Sequence, residues 1–157
     1  MSDKEIPEGF KLFGSDQSFN DVISPVYLKV DDTGPTLGMW VEKQHCNPVG
    51  FCHGGAMMTF MDIALSSAVC TALGKYTSTP TVNISFDFMS GAKEGDWISG
   101  EIQSVKITRT MAFVSAMIEG PNGSIARASG CYKLPRDIDV APGMTVGEYH
   151  QWRTGQE

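Results

Sequence analysis

Between Gly55 and Gly74 the chain carries one charged side chain, Asp62. Every other residue of the run Ala56-Met57-Met58-Thr59-Phe60-Met61-Asp62-Ile63-Ala64-Leu65-Ser66-Ser67-Ala68-Val69-Cys70-Thr71-Ala72-Leu73 is apolar, a hydroxyl or a thiol. A helix that is apolar on nearly every side is predicted to be buried. Its length of about 18 residues is marginal for crossing a bilayer, and Asp62 with several hydroxyls favours a core helix of a water-soluble protein. A carboxylate on such a helix is costly to bury unless something pairs or hydrogen-bonds it. Thr59, Asp62 and Ser66 fall three and four apart and form one polar stripe. Asp62 is therefore either an acid held by hydroxyls such as Thr59 or Ser66, or an acid kept for chemistry.

Around this helix the chain reads as one domain. Its 157 residues are enough to remove roughly 70% of the unfolded surface from water. With 12 basic and 18 acidic residues the net charge is -6, which argues against general binding to nucleic acid or an anionic membrane. Met1-Ser2-Asp3-Lys4-Glu5 is polar and lacks a signal-peptide core. Four cysteines without a CxxC pair, in a chain with no export signal, predict reduced thiols and a cytoplasmic protein. His45-Cys46 and Cys52-His53 are potential soft ligands, but their spacing matches no usual zinc pattern, so no metal is expected.

Val26–Val30 and Pro35–Glu42 read as strands around the turn Asp31-Asp32-Thr33-Gly34. Gly74 is placed to cap the helix. Thr81 to Met89 then alternates polar and apolar, the period of a half-buried strand. Trp97–Ile107, Met111–Ile118 and Ile125–Tyr132 follow, the last two separated by the hairpin signal Pro121-Asn122-Gly123. The expectation is an α+β fold, an antiparallel sheet of about six strands wrapped around one long helix. Residues 1–20 are a short helix or an arm over the core, 21–134 the domain. Residues 135–157 are a loose extension or a strap on a partner subunit.

Asn47-Pro48-Val49-Gly50-Phe51-Cys52-His53-Gly54-Gly55 opens directly into the helix. Gly54 and Gly55 let a carbonyl approach their amides closely. At a helix start those amides lack intrahelical partners, and the dipole there favours negative charge. This is the geometry of an oxyanion hole; two glycines also serve a tight turn. Asn47 can orient a water or a carbonyl, or cap the turn. His53 can hydrogen-bond a carbonyl or fix the loop.

With Asn47, Gly50, His53, Gly54, Gly55 and Asp62 in this spacing, the chain resembles the hot-dog-fold acyl-CoA thioesterases over roughly Phe19 to Leu134. The likeness is to the phenylacetate-degradation type within the 4-hydroxybenzoyl-CoA thioesterase superfamily. It implies that the Gly54 N–H polarises a thioester carbonyl and that Asp62 acts as general base or nucleophile. It also implies that each Asp62 faces the Gly-Gly turn of a neighbouring subunit, in a homodimer or homotetramer. Thr81 falls where relatives carry a Ser or Thr that helps position water; it is equally a plain strand residue. Ser90-Gly91-Ala92 occupies a turn of the substrate channel in which many relatives carry proline.

Coenzyme A, as part of the substrate, requires surface cations for its phosphates. Lys106, Arg109 and Lys133 lie near strand ends that are expected to converge on the cleft mouth. Met57, Met58, Met61, Phe86, Phe88 and Met89 are candidates for the acyl pocket and equally good core filler. The expected activity is hydrolysis of short, medium or aromatic acyl-CoA without a cofactor. The competing readings are a hot-dog hydratase or dehydratase, which needs a His with an acid, and a non-catalytic acyl-CoA binder.

Overall fold

Helix α1 (Gly54–Leu73) is set between two caps. At its start the His53 ring accepts a hydrogen bond from the Gly55 N–H; at its end Gly74 adopts φ +74° and donates to Cys70 and Thr71 carbonyls. The left-handed conformation at Gly74 is one that glycine adopts without strain. The chain is described from a computed structural model covering residues 4–155. Met1–Asp3, part of the segment read as lacking a signal-peptide core, and the last two residues lie outside the described residues.

The strands are β1 (Lys11–Phe13), β2 (Val26–Asp31), β3 (Gly34–Trp40), β4 (Lys75–Thr77), β5 (Thr81–Phe88), β6 (Trp97–Ile107), β7 (Met111–Gly120), β8 (Gly123–Lys133) and β9 (Gly143–Thr145). Seven form one antiparallel sheet in the order β1-β2-β3-β6-β7-β8-β5. The six strands read from sequence are all present. The seventh, β1, lies in the arm, and β4 with β9 makes a separate two-stranded ladder. Three residues are too short to leave an alternating pattern, so β1 was not legible.

The sheet curves around α1 because its helix-facing positions are small. Gly100, Ala112, Ala116, Ala126, Ala128 and Gly130 are all buried there. A Cβ on Gly100 would meet Phe60, Met61 and Ala64 at 3.4 Å each, so helix and sheet approach through absent side chains. Register shifts between Thr81 and Asn83, Ile102 and Ser104, and Ile118 and Glu119 add bend. Phe60, Met61, Leu65 and Val69 of α1 are fully enclosed, and each such side chain contributes roughly 1.5–3 kcal/mol.

The outer face of the sheet is covered at one end only. Phe10 of the arm meets Trp97 edge-on, and Tyr27 and Trp40 complete the cluster over β3 and β6. At the other end β5 is the sheet edge, with Val82 and Phe88 exposed.

The C-terminal segment is neither loose nor detached from its own chain. Strand β9 pairs with β4, and α2 (Val146–Thr154) starts with a capping box between Thr145 and Glu148. Tyr149 of α2 stacks on Tyr76 at 3.6 Å between ring centroids. Arg153 is buried against Phe13, with its Nη1 3.1 Å from Asp16 and its carbonyl accepting from the Gly14 N–H. Nε and Nη1 make no aligned hydrogen bond, so the contact with Asp16 is an ion pair. Burial raises the Asp16 pKa, but hydrogen bonds from Ser18 and Asn20 and the charge of Arg153 lower it by more, and it lies below the usual carboxylate value.

Candidate active site

Asp62 sits two turns into α1 and is half-buried, not enclosed. The polar stripe faces outward, because the sheet covers only one side of the helix. Thr59 and Ser66 do not hold it: their hydroxyls donate to the Gly55 and Ile63 carbonyls of the helix itself. The carboxylate is instead held from the sheet. Thr81 Oγ1 at the start of β5 donates to Asp62 Oδ1 at 3.1 Å, and the Tyr132 hydroxyl of β8 donates to the same oxygen at 2.9 Å. Oδ2 has no partner among the described residues.

Tyr132 is fully buried, and burial together with the Asp62 charge pushes its phenol far above the ordinary value. It therefore stays a donor at any working pH. Sequence reasoning did not single it out, although a signal was present. The helix-facing positions of β8 run Ala126, Ala128, Gly130, Tyr132, and a buried phenol among alanines and glycines requires a hydrogen-bond partner.

The other half of the site is the start of α1. Gly55 donates its N–H to His53 Nδ1 at 2.9 Å, so that amide is used within the chain. Gly54 N–H has no partner among the described residues and is a free donor at the helix N-terminus. The Phe88 ring lies over Gly54, 3.4 Å from where a Cβ would stand. Asn47 Oδ1 accepts from the Val49 and Phe51 N–H groups and thereby shapes the loop, while its Nδ2 makes no hydrogen bond among the described residues. The His53 N–H donates to the carbonyl of buried His45, and Cys46 and Cys52 form a β-bridge across the loop. Burial pushes the Cys52 thiol up to about 12, and all four cysteines are free thiols.

A free amide at a helix start, an acid with one unpartnered oxygen, and a sheet wrapped around the helix that carries both are the features to set beside known proteins. A sequence profile described as the thioesterase superfamily matches residues 49–125. Human acyl-coenzyme A thioesterase 13 is 30% identical over 114 residues, 71% of this chain and 80% of that protein. The chain belongs to the thioesterase superfamily. It is a thioester hydrolase by that membership. A candidate esterase of Pseudomonas aeruginosa is 29% identical over 131 residues, 83% of this chain and 98% of that protein. Among solved structures, a hypothetical thioesterase from Streptococcus pneumoniae with coenzyme A matches with TM-score 0.62 at 20% identity, covering 76% of this chain and 88% of that one. The E. coli PaaI protein from the phenylacetic acid degradation operon matches with TM-score 0.63 at 21% identity, covering 73% and 89%. At these identities the two structures establish the hot-dog fold.

Within this thioesterase the remaining predicted residues fall into three groups. Ser90 lies beside the Gly54 end: its N–H donates to the Ile125 carbonyl, Phe51 packs over Gly91, and Cys52 N–H donates to the Ala92 carbonyl. Met58 lines a shallow recess with Asp62, but the expected methionine and phenylalanine pocket is not one cavity. Met57 and Met61 are in the core, whereas Phe88 and Met89 are exposed. The cations do not converge. Lys106 lies on the outer face of the sheet, in a recess with Ser104, Phe113 and Ser115. Lys133 follows inward-facing Tyr132 and so faces outward too, and Arg109 is in the exposed β6–β7 turn. Strand alternation places these side chains away from α1 in the chain that carries them.

Proposed function

We propose that this protein hydrolyses acyl-CoA thioesters to the free acid and coenzyme A, with Asp62 and the Gly54 amide as its catalytic groups. The observation that carries the reading is the divided Asp62 carboxylate: Oδ1 is fixed by Thr81 and Tyr132, and Oδ2 is unpartnered. A carboxylate held so can take a proton from water as the water attacks the thioester carbonyl. It can alternatively attack the carbonyl itself, giving an anhydride that water then opens. In both routes the carbonyl oxygen becomes negative, the Gly54 N–H stabilises it, and the thiolate of coenzyme A leaves. The coenzyme A portion is supported by the similarity to acyl-coenzyme A thioesterase 13 and to the pneumococcal structure with coenzyme A. His53 Nδ1 is engaged in capping the helix, which speaks against a histidine-based hydratase.

One chain does not hold a complete site. Gly54 and Asp62 are eight residues apart on one helix, about 12 Å along its axis, and a single carbonyl cannot meet both. The reading therefore pairs Asp62 with Gly54 of a second copy, in a homodimer or a tetramer built from dimers. The exposed face Gly55, Met58, Thr59 and Asp62 and the open β5 edge are surfaces suited to that copy. Free thiols fit a reducing cytoplasm, and the reaction as written uses no metal.

The test is thiol release from a panel of short, medium, long and aromatic acyl-CoAs after extensive chelation, with sedimentation run on the same samples. Turnover in a dimer or larger assembly is the expected result. Tight binding of acyl-CoA without thiol release overturns the hydrolase reading, and an active monomer overturns the shared site.

A further inference from the structure

An open cavity of about 520 Å³ runs along α1 from Asp62 to Cys70. Those eight residues span about 12 Å of helix. One wall is the helix itself, with Ile63, Ser66 and Ser67. The opposite wall is the C-terminal segment: Met144 of β9, and Tyr149 and Trp152 of α2. This segment lies outside residues 49–125, the span matched by the superfamily profile.

The wall is fixed in place. It is joined to β4 by three residue pairs, its Tyr149 stacks on Tyr76, and its end is clasped by Asp16 and Phe13 through Arg153. The lining has a definite chemistry. Asp62 is its only charged side chain, and hydroxyls from Ser66, Thr77, Thr79 and Thr81 border it. Ser67 is 4% exposed and lines the cavity, and its hydroxyl has no hydrogen-bond partner among the described residues. A ligand in the cavity can reach this hydroxyl and supply the hydrogen bond that the described residues do not.

We propose that the C-terminal segment is the acyl-selecting wall of the site: the acyl group lies between α1 and Met144, Tyr149 and Trp152, and the wall selects compact, uncharged acyl groups with hydrogen-bonding substituents. The proposal rests on the acyl-CoA hydrolase reading above. A long saturated chain would strip water from the hydroxyls and return no hydrogen bonds. A dicarboxylic acyl group would bring a second negative charge toward Asp62 with no cation on the lining to meet it.

Two substitutions move the wall in opposite directions. Met144→Trp fills the cavity and Trp152→Ala opens it; both residues are partly exposed, at 41% and 51%, so the fold tolerates either, and circular dichroism checks this. The assay measures kcat/KM for acetyl-, 3-hydroxybutyryl-, benzoyl-, succinyl- and palmitoyl-CoA. Wild type is expected to favour the hydroxylated and aromatic groups. Met144→Trp is expected to lower kcat/KM for benzoyl-CoA by at least about 10-fold while acetyl-CoA changes by less than about 2-fold, the scale on which pockets discriminate size. Trp152→Ala is expected to shift the profile toward palmitoyl-CoA. Calorimetric titration of benzoyl-CoA into Asp62→Asn protein, with and without Met144→Trp, is expected to show the same weakening in binding alone. A wild type that hydrolyses no acyl-CoA overturns the thioesterase reading and this proposal with it. A working hydrolase whose acyl profile ignores both wall substitutions overturns the wall alone.

Discussion

The two ends of the candidate site are built differently. At the Gly54 end the side-chain hydrogen bonds are local: Asn47 shapes its own loop through Val49 and Phe51, and His53 caps the helix two residues on, with Phe88 and the Ser90–Ala92 turn packed alongside. At the Asp62 end both partners come from distant strands, Thr81 nineteen residues away and Tyr132 seventy residues away. The turn and the helix cap can be set by their own few residues, whereas the hydrogen bonds to the acid exist only once the sheet has closed around α1. Changes at the first end should therefore alter chemistry with little loss of stability. Changes at the second should couple the two.

The sharpest attack on this contrast is Asp62→Asn. It keeps size and polarity but removes the proton acceptor, so kcat should fall by roughly 10²- to 10⁴-fold with KM little changed. Steady-state kinetics check this, and near-normal turnover would make Asp62 a structural acid. Gly54→Pro is the matching change at the amide end. Proline is tolerated at the first helical position, and His53 already has the extended ψ of 136° that a residue before proline adopts. It deletes the free N–H alone, so kcat should fall about 10²- to 10³-fold, with helix content by circular dichroism retained. Full activity in a folded Gly54→Pro protein would remove that amide from the mechanism.

Tyr132→Phe should lower kcat by about 10-fold and stability by roughly 1–2 kcal/mol, because Asp62 Oδ1 keeps only Thr81. Denaturant titration beside kinetics separates the two losses. If Tyr132→Phe costs stability alone, the acid end is not organised for chemistry. The smallest effect concerns pH. Burial lowers the pKa of His45, whose carbonyl holds His53. The unfolded chain then binds the proton more readily than the folded one, so this contribution is complete above about pH 6.5 and is lost as pH falls through that value. Thermal unfolding between pH 7.5 and pH 5 should show the loss, and His45→Gln should flatten it.

These tests also separate what was readable in advance from what was not. The Asn47–Gly55 motif, the helix and the six longer strands leave local patterns in sequence, and all were legible. The free state of Gly54 against the engaged state of Gly55 was not, because it depends on which way the His53 ring turns. The partners of Asp62 were not legible, because helical spacing offers only Thr59 and Ser66, whereas the bonds come from Thr81 and Tyr132 of the sheet. That Lys106 and Lys133 take the outer face was not legible for a related reason: proximity to strand ends says nothing about which face of the sheet a side chain takes. The C-terminal segment has a polar composition, and only its pairing with β4 shows that it folds.

The clasp between the two ends of the chain has a consequence for synthesis. Gly14 and Arg153, joined by a backbone hydrogen bond, are made at different times, the arm well before α2. A chain emerging from the ribosome can assemble α1 and the seven-stranded sheet while the arm still waits for its cover. The wall beside Asp62 is completed only when β9 and α2 have been made and can fold back. The catalytic compartment is thus finished after the core, and a chain cut before β9 should keep a folded core with an unfinished site.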